Sequence, residues 1–197
     1  MKIFGKRKRD ILYPMPVLEC DRLELRPMRV NDAEDMYEYA RLEEVTKYLL
    51  WSPHENLSYT ESYLSYVQSR YRDGDFYDWA IVLKEEYKMI GTCGFTKIDR
   101  ENNLGEIGYV INPAYSGKGY ACEAVRRVLE LAFCELNLNR VEAKYIIGND
   151  ASLRVMEKCN MKSEGTARES MMVKGEYRDI GTCAILKSEY MQKEIID

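Results

Sequence analysis

Gly117 and Gly119, in the run Tyr115-Ser116-Gly117-Lys118-Gly119-Tyr120-Ala121, are the residues whose type and spacing point most directly to chemistry. Lacking a Cβ, they let the backbone pass close to a bulky ligand. The residues from Leu104 to Ile111 predict a strand that enters this run through Asn112-Pro113, and a helix leaves it. Amides in the first turn of a helix have no intrahelical partner, and the helix dipole favours negative charge there. A glycine-rich strand-to-helix turn is thus a cradle for a pyrophosphate. The same two glycines also suit a helix entry that needs only flexible residues. Two nucleotide motifs are excluded: Cys122 stands where the third glycine of G-x-G-x-x-G belongs, and no G-x-x-x-x-G-K-[ST] occurs. Asn149 and Ser152 open a second helix, where both residue types serve as caps.

Other reactive groups are sparse. His54 is the one histidine, and the six cysteines (20, 93, 122, 134, 159 and 183) form no C-x-x-C pair. This argues against a Cys/His metal site, so no metal is expected. The cysteines read as small buried hydrophobes in a reducing cytoplasm.

These residues need a sheet and helices to hold them. Arg22 to Met28 alternates as a first strand, and Asn31 or Asp32 caps a helix through Ala40. A second helix runs from about Tyr59 to Tyr71, ending at Asp73-Gly74. Its Tyr59, Tyr63 and Tyr66 suit either packing on the sheet or a lid over an acceptor site. Trp79–Leu83 and Lys88–Phe95 read as a hairpin around Glu85-Glu86-Tyr87. After the glycine run, Ala121, Val125, Val128 and Ala132 form an apolar helical stripe, with Glu123–Arg127 as an i,i+4 pair on the outer face. Strands follow at Arg140–Ile147, Lys162–Val173 and Tyr177–Leu186, with the helix opened by Asn149 between the first two. The order predicts one mixed α/β domain.

Composition fits this. The chain has 197 residues, 46% hydrophobic and 31% charged, with a formal net charge of -4. That length suits one domain, no apolar run reaches a membrane-spanning length, and the charge argues against general nucleic-acid binding. Met1 to Arg9 is basic and lacks the apolar run of a signal peptide; it reads as a tail, with ribosomal RNA as a minor contact.

The run Ser116-Gly117-Lys118-Gly119-Tyr120-Ala121 resembles the acetyl-CoA loop of the GNAT acyltransferase superfamily, [QR]-x-x-G-x-[GA], with Ser116 replacing the usual Arg or Gln. Arg22–Arg26, Glu106–Tyr109, Gly117–Ala124, Asn149–Lys158 and Gly175–Asp179 extend the likeness, most closely to the ribosomal-protein N-terminal (alanine/serine) acetyltransferases. The resemblance spans residues 20–188, leaving 1–19 as a basic tail and lead-in and 189–197 as a C-terminal tail. It implies a single mixed-sheet fold with splayed central strands and acetyl-CoA as co-substrate. The cofactor residues it implies are Ile107, Gly108, Tyr109, Val110, Ser116, Gly117, Lys118, Gly119, Tyr120, Ala121, Asn149 and Ser152. Backbone groups of Ile107 to Val110 would line the pantetheine arm, and one free amide, that of Val110, would polarise the thioester.

Acetyl transfer to an amine requires a held thioester, a neutral amine, a stabilised carbonyl oxygen and a protonated leaving thiolate. Direct attack needs no protein nucleophile. Related enzymes carry a Tyr acid seven residues after the Asn; Met156 stands there, so Ser152 becomes the candidate for the thiolate. Glu106 is the candidate base, or else a solvated strand carboxylate paired with Lys97. The acceptor is then the α-amino group of a (ribosomal) protein, or a small amine such as a polyamine, an amino acid or an aminoglycoside. A non-catalytic acyl-CoA-binding module is the alternative from another class, and a homodimer is left open.

Overall fold

The structure, a computed structural model, describes residues 12–194. Alternation along the strands produces one eight-stranded sheet, ordered β1-β2-β3-β4-β5-β6-β8-β7. The strands are β1 (Leu18–Glu19), β2 (Leu23–Arg26), β3 (Tyr77–Leu83), β4 (Lys88–Asp99), β5 (Leu104–Ile111), β6 (Arg140–Ile146), β7 (Lys162–Val173) and β8 (Glu176–Leu186). The helices are α1 (Ala33–Ala40), α2 (Glu43–Thr46), α3 (Leu57–Asp73), α4 (Tyr120–Glu130), α5 (Asp150–Lys158) and α6 (Lys187–Glu194). The expected mixed α/β sheet is present. Pro27, with no N–H to give, follows the last residue of β2, so the first strand is shorter than expected.

Side chains that alternate across the sheet build two apolar layers. On one face Trp79, Ile81, Phe95 and Ile107 pack with Val125, Val128 and Leu129 of α4. On the other, Ala80, Val82 and Met89 meet Met36 and Tyr39 of α1 and Leu64 and Val67 of α3. The expected α4 stripe is buried at Val125, Val128 and Ala132, but Ala121 is only half-buried. Beyond Glu130 the helix widens: the Leu136 N–H reaches back five residues to Leu131 O, at 2.9 Å.

The pairing of β5 with β6 positions the site. It is parallel and runs from Leu104 opposite Arg140 to Ile107 opposite Ala143, then stops. Beyond it β5 stays paired with β4 as far as Ile111, and β6 with β8 as far as Ile146. The expected splay of the central strands therefore opens at Gly108 and Lys144.

Several local expectations change. Glu123 does not pair with Arg127; it binds Arg22, whose Nε lies 2.7 Å from Glu123 Oε2, while Arg127 turns to Glu130 and Glu135. Two further Arg22 bonds, described below, outbid an exposed i,i+4 pair. Glu106 faces Lys97 in register but pairs with Lys144. Residues 187–194 form α6, so the expected end of the domain at 188 falls inside a helix; its Tyr190 ring lies 5.0 Å from Phe133. At the other end Leu12 is already buried, and the basic Met1 to Arg9 lies outside the described residues.

A buried ion pair closes the start of α1. Arg26 and Asp32 meet in a two-pronged contact of 2.6 and 2.8 Å, and Asp32 also accepts the Arg29 N–H at 2.7 Å. The Asp32 hydrogen bond holds the Arg26 pKa above its usual value, against a cost of burial. Removing one partner strands the other charge. Asp32→Ala should destabilise the fold by about 3 kcal/mol or more in denaturant unfolding; a loss under 1 kcal/mol would mean that water reaches the guanidinium.

Candidate active site

Two cavities meet at the splay. The first, about 420 Å³, lies on the face covered by α1 and α3; the second, about 440 Å³, runs along the glycine run and α5. They share Tyr48, Leu49, Tyr109, Val110, Asn149 and Ser152. The junction is thus built from the open end of β5 and the start of α5.

The second cavity has the features of an anion cradle. Gly117 and Gly119 both have positive φ, 78° and 86°, in the left-handed region that favours glycine. No atom stands within 4 Å of where a Gly117 Cβ would be. Gly119 is the N-cap of α4 and supplies no side-chain cap, so the first-turn amides have no side-chain partner there. Arg154 and Lys158 of α5 add positive charge to the wall. Arg22 braces the loop: its Nη1 donates to Lys118 O at 3.1 Å, its N–H donates to Glu123 Oε1 at 2.8 Å, and its guanidinium lies 4.5 Å from the Tyr120 ring centre. These residues fit the pyrophosphate and phosphate of acetyl-CoA.

The expected cofactor residues are brought together in large part. Tyr109, Val110, Ser116, Gly117, Gly119, Tyr120, Ala121, Asn149 and Ser152 line the second cavity. Ile107 and Gly108 line the first, and Lys118 lines neither, its ammonium lying 5.1 Å from the Tyr115 ring centre. Asn149 caps α5, its Oδ1 accepting the Ser152 N–H at 3.2 Å. Cap duty therefore falls to Asn149, while Ser152 Oγ sits 3.0 Å from the Tyr109 hydroxyl. That hydroxyl also lies 2.8 Å from Ser152 O. Burial raises the Tyr109 pKa, with Ser152 opposing in part, so the phenol keeps its proton at neutral pH. Met156 is buried in the core.

The first cavity is walled by aromatic rings. Trp51, His54, Tyr59 and Tyr63 cluster there, with His54 centred 4.9 Å from Tyr59 and 5.7 Å from Tyr63. His54 Nδ1 is tied to the Thr60 hydroxyl at 2.9 Å, and burial lowers its pKa, so the ring is neutral. Tyr59 and Tyr63 therefore face the cavity while Leu64 and Val67 of the same helix serve the core; Tyr66 points to solvent. Glu106 lines the wall with both oxygens engaged: Oε1 accepts from Thr96 at 2.9 Å and Oε2 from Lys144 at 2.5 Å. Asp78 and Tyr39, which sequence reasoning did not single out, line the same cavity. Asp78 precedes an apolar run and reads there as a strand flank, while Tyr39 reads as core; the sheet register puts the first at the site and the packing of α1 on the sheet puts the second there.

Among the described residues no cluster of His, Cys, Asp and Glu could hold a metal ion, and no helix is long and apolar enough to cross a membrane.

The comparisons agree with this geometry. The Bacillus licheniformis protein called Uncharacterized N-acetyltransferase p20 is 36% identical over 176 residues, covering 89% of this chain and 99% of that one. Bacillus subtilis YdaF, called a putative ribosomal N-acetyltransferase, is 35% identical over 102 residues, covering 52% of this chain and 56% of its own. The crystal structure of a GNAT-family acetyltransferase from Bacillus anthracis superposes with a TM-score of 0.78 at 30% identity, covering 88% of this chain and all of that one. The family description Acetyltransferase (GNAT) domain matches residues 22–162. A splayed sheet, a glycine cradle at the head of α4 and these matches lead to one conclusion: the chain belongs to the GNAT family and is an acetyl-CoA-dependent N-acetyltransferase.

Proposed function

We propose that the acetyl group passes by direct attack to the primary amine of an acceptor entering the aromatic-walled cavity, and that this amine is the α-amino group of a protein, a ribosomal protein in the first instance. One observation carries the direct route: the two cavities share Tyr109, Val110, Asn149 and Ser152, so acceptor and thioester approach from opposite sides of one junction. Acetyl-CoA supplies the activated acetyl group. A β5 amide on the side facing β6 stabilises the carbonyl oxygen, the expected Val110 N–H being turned instead to Thr92 of β4, and the Ser152–Tyr109 hydroxyl pair returns a proton to the sulfur.

An α-amino group of pKa about 8 is roughly a tenth neutral at pH 7, whereas a lysine amine near 10.4 is neutral in about four molecules per ten thousand. That difference supports the α-amine, and the likeness to YdaF points the same way. A polyamine is the second reading, favoured by the two carboxylates, Asp78 and Glu106, in the cavity wall. A reducing compartment, the cytoplasm, accords with six cysteines that form no disulfide.

Thiol release from acetyl-CoA with a panel of N-terminal peptides and polyamines tests the proposal. Turnover with alanine- or serine-initiated peptides is the expected result. Turnover with polyamines alone would replace the first acceptor class by the second, and no turnover with any amine would leave an acyl-CoA-binding module.

A further inference from the structure

Strand register leaves a gap in the cavity wall, and one carboxylate fills it. Asp78 of β3 stands opposite Gly94 of β4, which stands opposite Gly108 of β5. Neither glycine has a side chain, so the Asp78 carboxyl leans into the space above them. A Cβ at Gly94 would lie 2.9 Å from Asp78 Oδ1 and 2.4 Å from Asp78 Cα. At ordinary strand spacing, Asp78 is about 10 Å from Gly108 between Cα atoms, where the splay opens. An amine held between them stands within reach of both the carboxyl and the junction, directly or through one water.

Asp78 Oδ1 is sealed from solvent and has no hydrogen-bond partner, and the same is true of the Tyr39 hydroxyl. Asp78 as a whole is half-buried and lines the first cavity. No hydrogen bond joins the two orphaned atoms, and both residues line that cavity. An unmet buried polar atom costs about 1–3 kcal/mol, so such a pair marks a place where a ligand supplies the missing donor. An ammonium carries three donors and positive charge, which suits a carboxylate oxygen and a phenol oxygen together. Glu106 offers no such opening, because Thr96 and Lys144 hold both of its oxygens.

We infer that Asp78, with Tyr39 beside it, receives the acceptor's ammonium and takes its proton before transfer, in place of the base role expected for Glu106. This rests on the direct-transfer reading above. The ammonium gives one proton to Asp78. Its freed lone pair forms the N–C bond to the acetyl carbonyl as the C–S bond breaks. A second nitrogen proton balances the one delivered to the thiolate, the third stays in the amide, and Asp78 returns its proton to solvent.

The surroundings of Asp78 suit the task. Burial raises its pKa to about 7, while the Thr92 hydroxyl and the Trp79 amide pull it back in part. A base of that strength is matched to work near neutral pH. The groups facing it are uncharged there: Tyr39 from α1 and Tyr63 and Tyr71 from α3 all have pKa values raised by burial, as does the Cys93 thiol of β4. His54 from the loop is neutral, and Glu106 and Lys144 across the cavity neutralise each other.

Asp78→Asn and Glu106→Gln, assayed by thiol release with acetyl-CoA and two probes, an alanine-initiated pentapeptide and 1,4-diaminobutane, test the inference. Asp78→Asn should lower kcat/KM on the order of 10²-fold at pH 7, with the loss shrinking as pH rises toward the amine's own pKa. Thermal stabilisation by acetyl-CoA should be unchanged. Glu106→Gln, which loosens the Lys144 pair, should lose far less, and its loss should not vary with pH. The reverse pattern, or equal activity of Asp78→Asn across pH 6 to 9, would overturn the inference. Carboxyl NMR on protein labelled with carbon-13 in aspartate gives a reading independent of turnover. One aspartate should titrate near pH 7, vanish in Asp78→Asn and move to lower pH when either amine is added. An amine that leaves that titration untouched would also overturn it. Failure of the unmutated enzyme to release thiol with any amine, beside an intact amine-dependent titration, would refute the transfer reading and leave Asp78 as the ammonium site.

Discussion

Gly119→Val is expected to give a folded protein that no longer gains stability from acetyl-CoA. For the unmutated chain, ligand at one hundred times its Kd adds about 2.7 kcal/mol. In a domain of this size that raises Tm by roughly 5–11 °C. The variant should show no shift and no thiol release. Two effects combine. The backbone at Gly119 has φ of 86°, where a β-branched residue is strained by about 1–3 kcal/mol. A side chain there also crowds the cradle and approaches the Arg22 guanidinium, which a Cβ would already meet at 3.5 Å. The unliganded Tm separates strain from lost binding. A variant that is less stable alone, yet still shifts fully with acetyl-CoA, would move the anion site away from this loop.

Tyr109→Phe and Ser152→Ala should each lower kcat on the order of 10²- to 10³-fold while leaving acetyl-CoA affinity close to unchanged. The two hydroxyls are 3.0 Å apart at the junction of the cavities, and burial keeps the phenol protonated. Each change deletes one link of the chain that returns a proton to sulfur. Helix capping does not confuse the result, because the α5 cap is the Asn149 side chain, which both variants keep. The double variant should lose little more than either single one, as expected for groups acting as a unit. Full kcat in both single variants would mean that water protonates the thiolate.

Local signals carried much of the fold. Alternation located the strands, and the Gly117/Gly119 spacing located the cradle; the gap left between the last two expected strands is the turn of β7 and β8, where Lys174 and Gly175 both have positive φ. What stayed hidden depends on residues far apart in the chain. Glu123 answers to Arg22, which lies 101 positions away, so the local helix-pair rule named the wrong partner. The stopping point of β5–β6 pairing is a property of two strands with the whole of α4 between them. Asp78 was missed because its environment is made by two glycines on neighbouring strands, and an absent side chain leaves no mark on the residue beside it. Tyr109 was expected as a cofactor residue; its contact with Ser152 joins β5 to the start of α5, residues 43 positions apart, which no local pattern shows.

The early end of β5–β6 pairing has a mechanical meaning. The sheet is two rigid plates joined along a seam, and around the last paired residues two side-chain clasps fasten it: Glu106 to Lys144 and Tyr109 to Ser152. Alternation along β5 puts one clasp on each face. Strand edges left open along a seam are backbone groups in want of partners, and a pantetheine arm laid between them would serve as the missing strand. Acetyl-CoA would then act as mortar as well as reagent. Among residues 108–111 and 144–146, the amides that β4 and β8 leave unbonded should exchange hydrogen faster than their laddered neighbours in the empty enzyme and slow most on loading. Once the acetyl group has left, the remaining CoA still bridges the plates, so the parting of the seam, rather than the making of the amide, would set the pace of turnover.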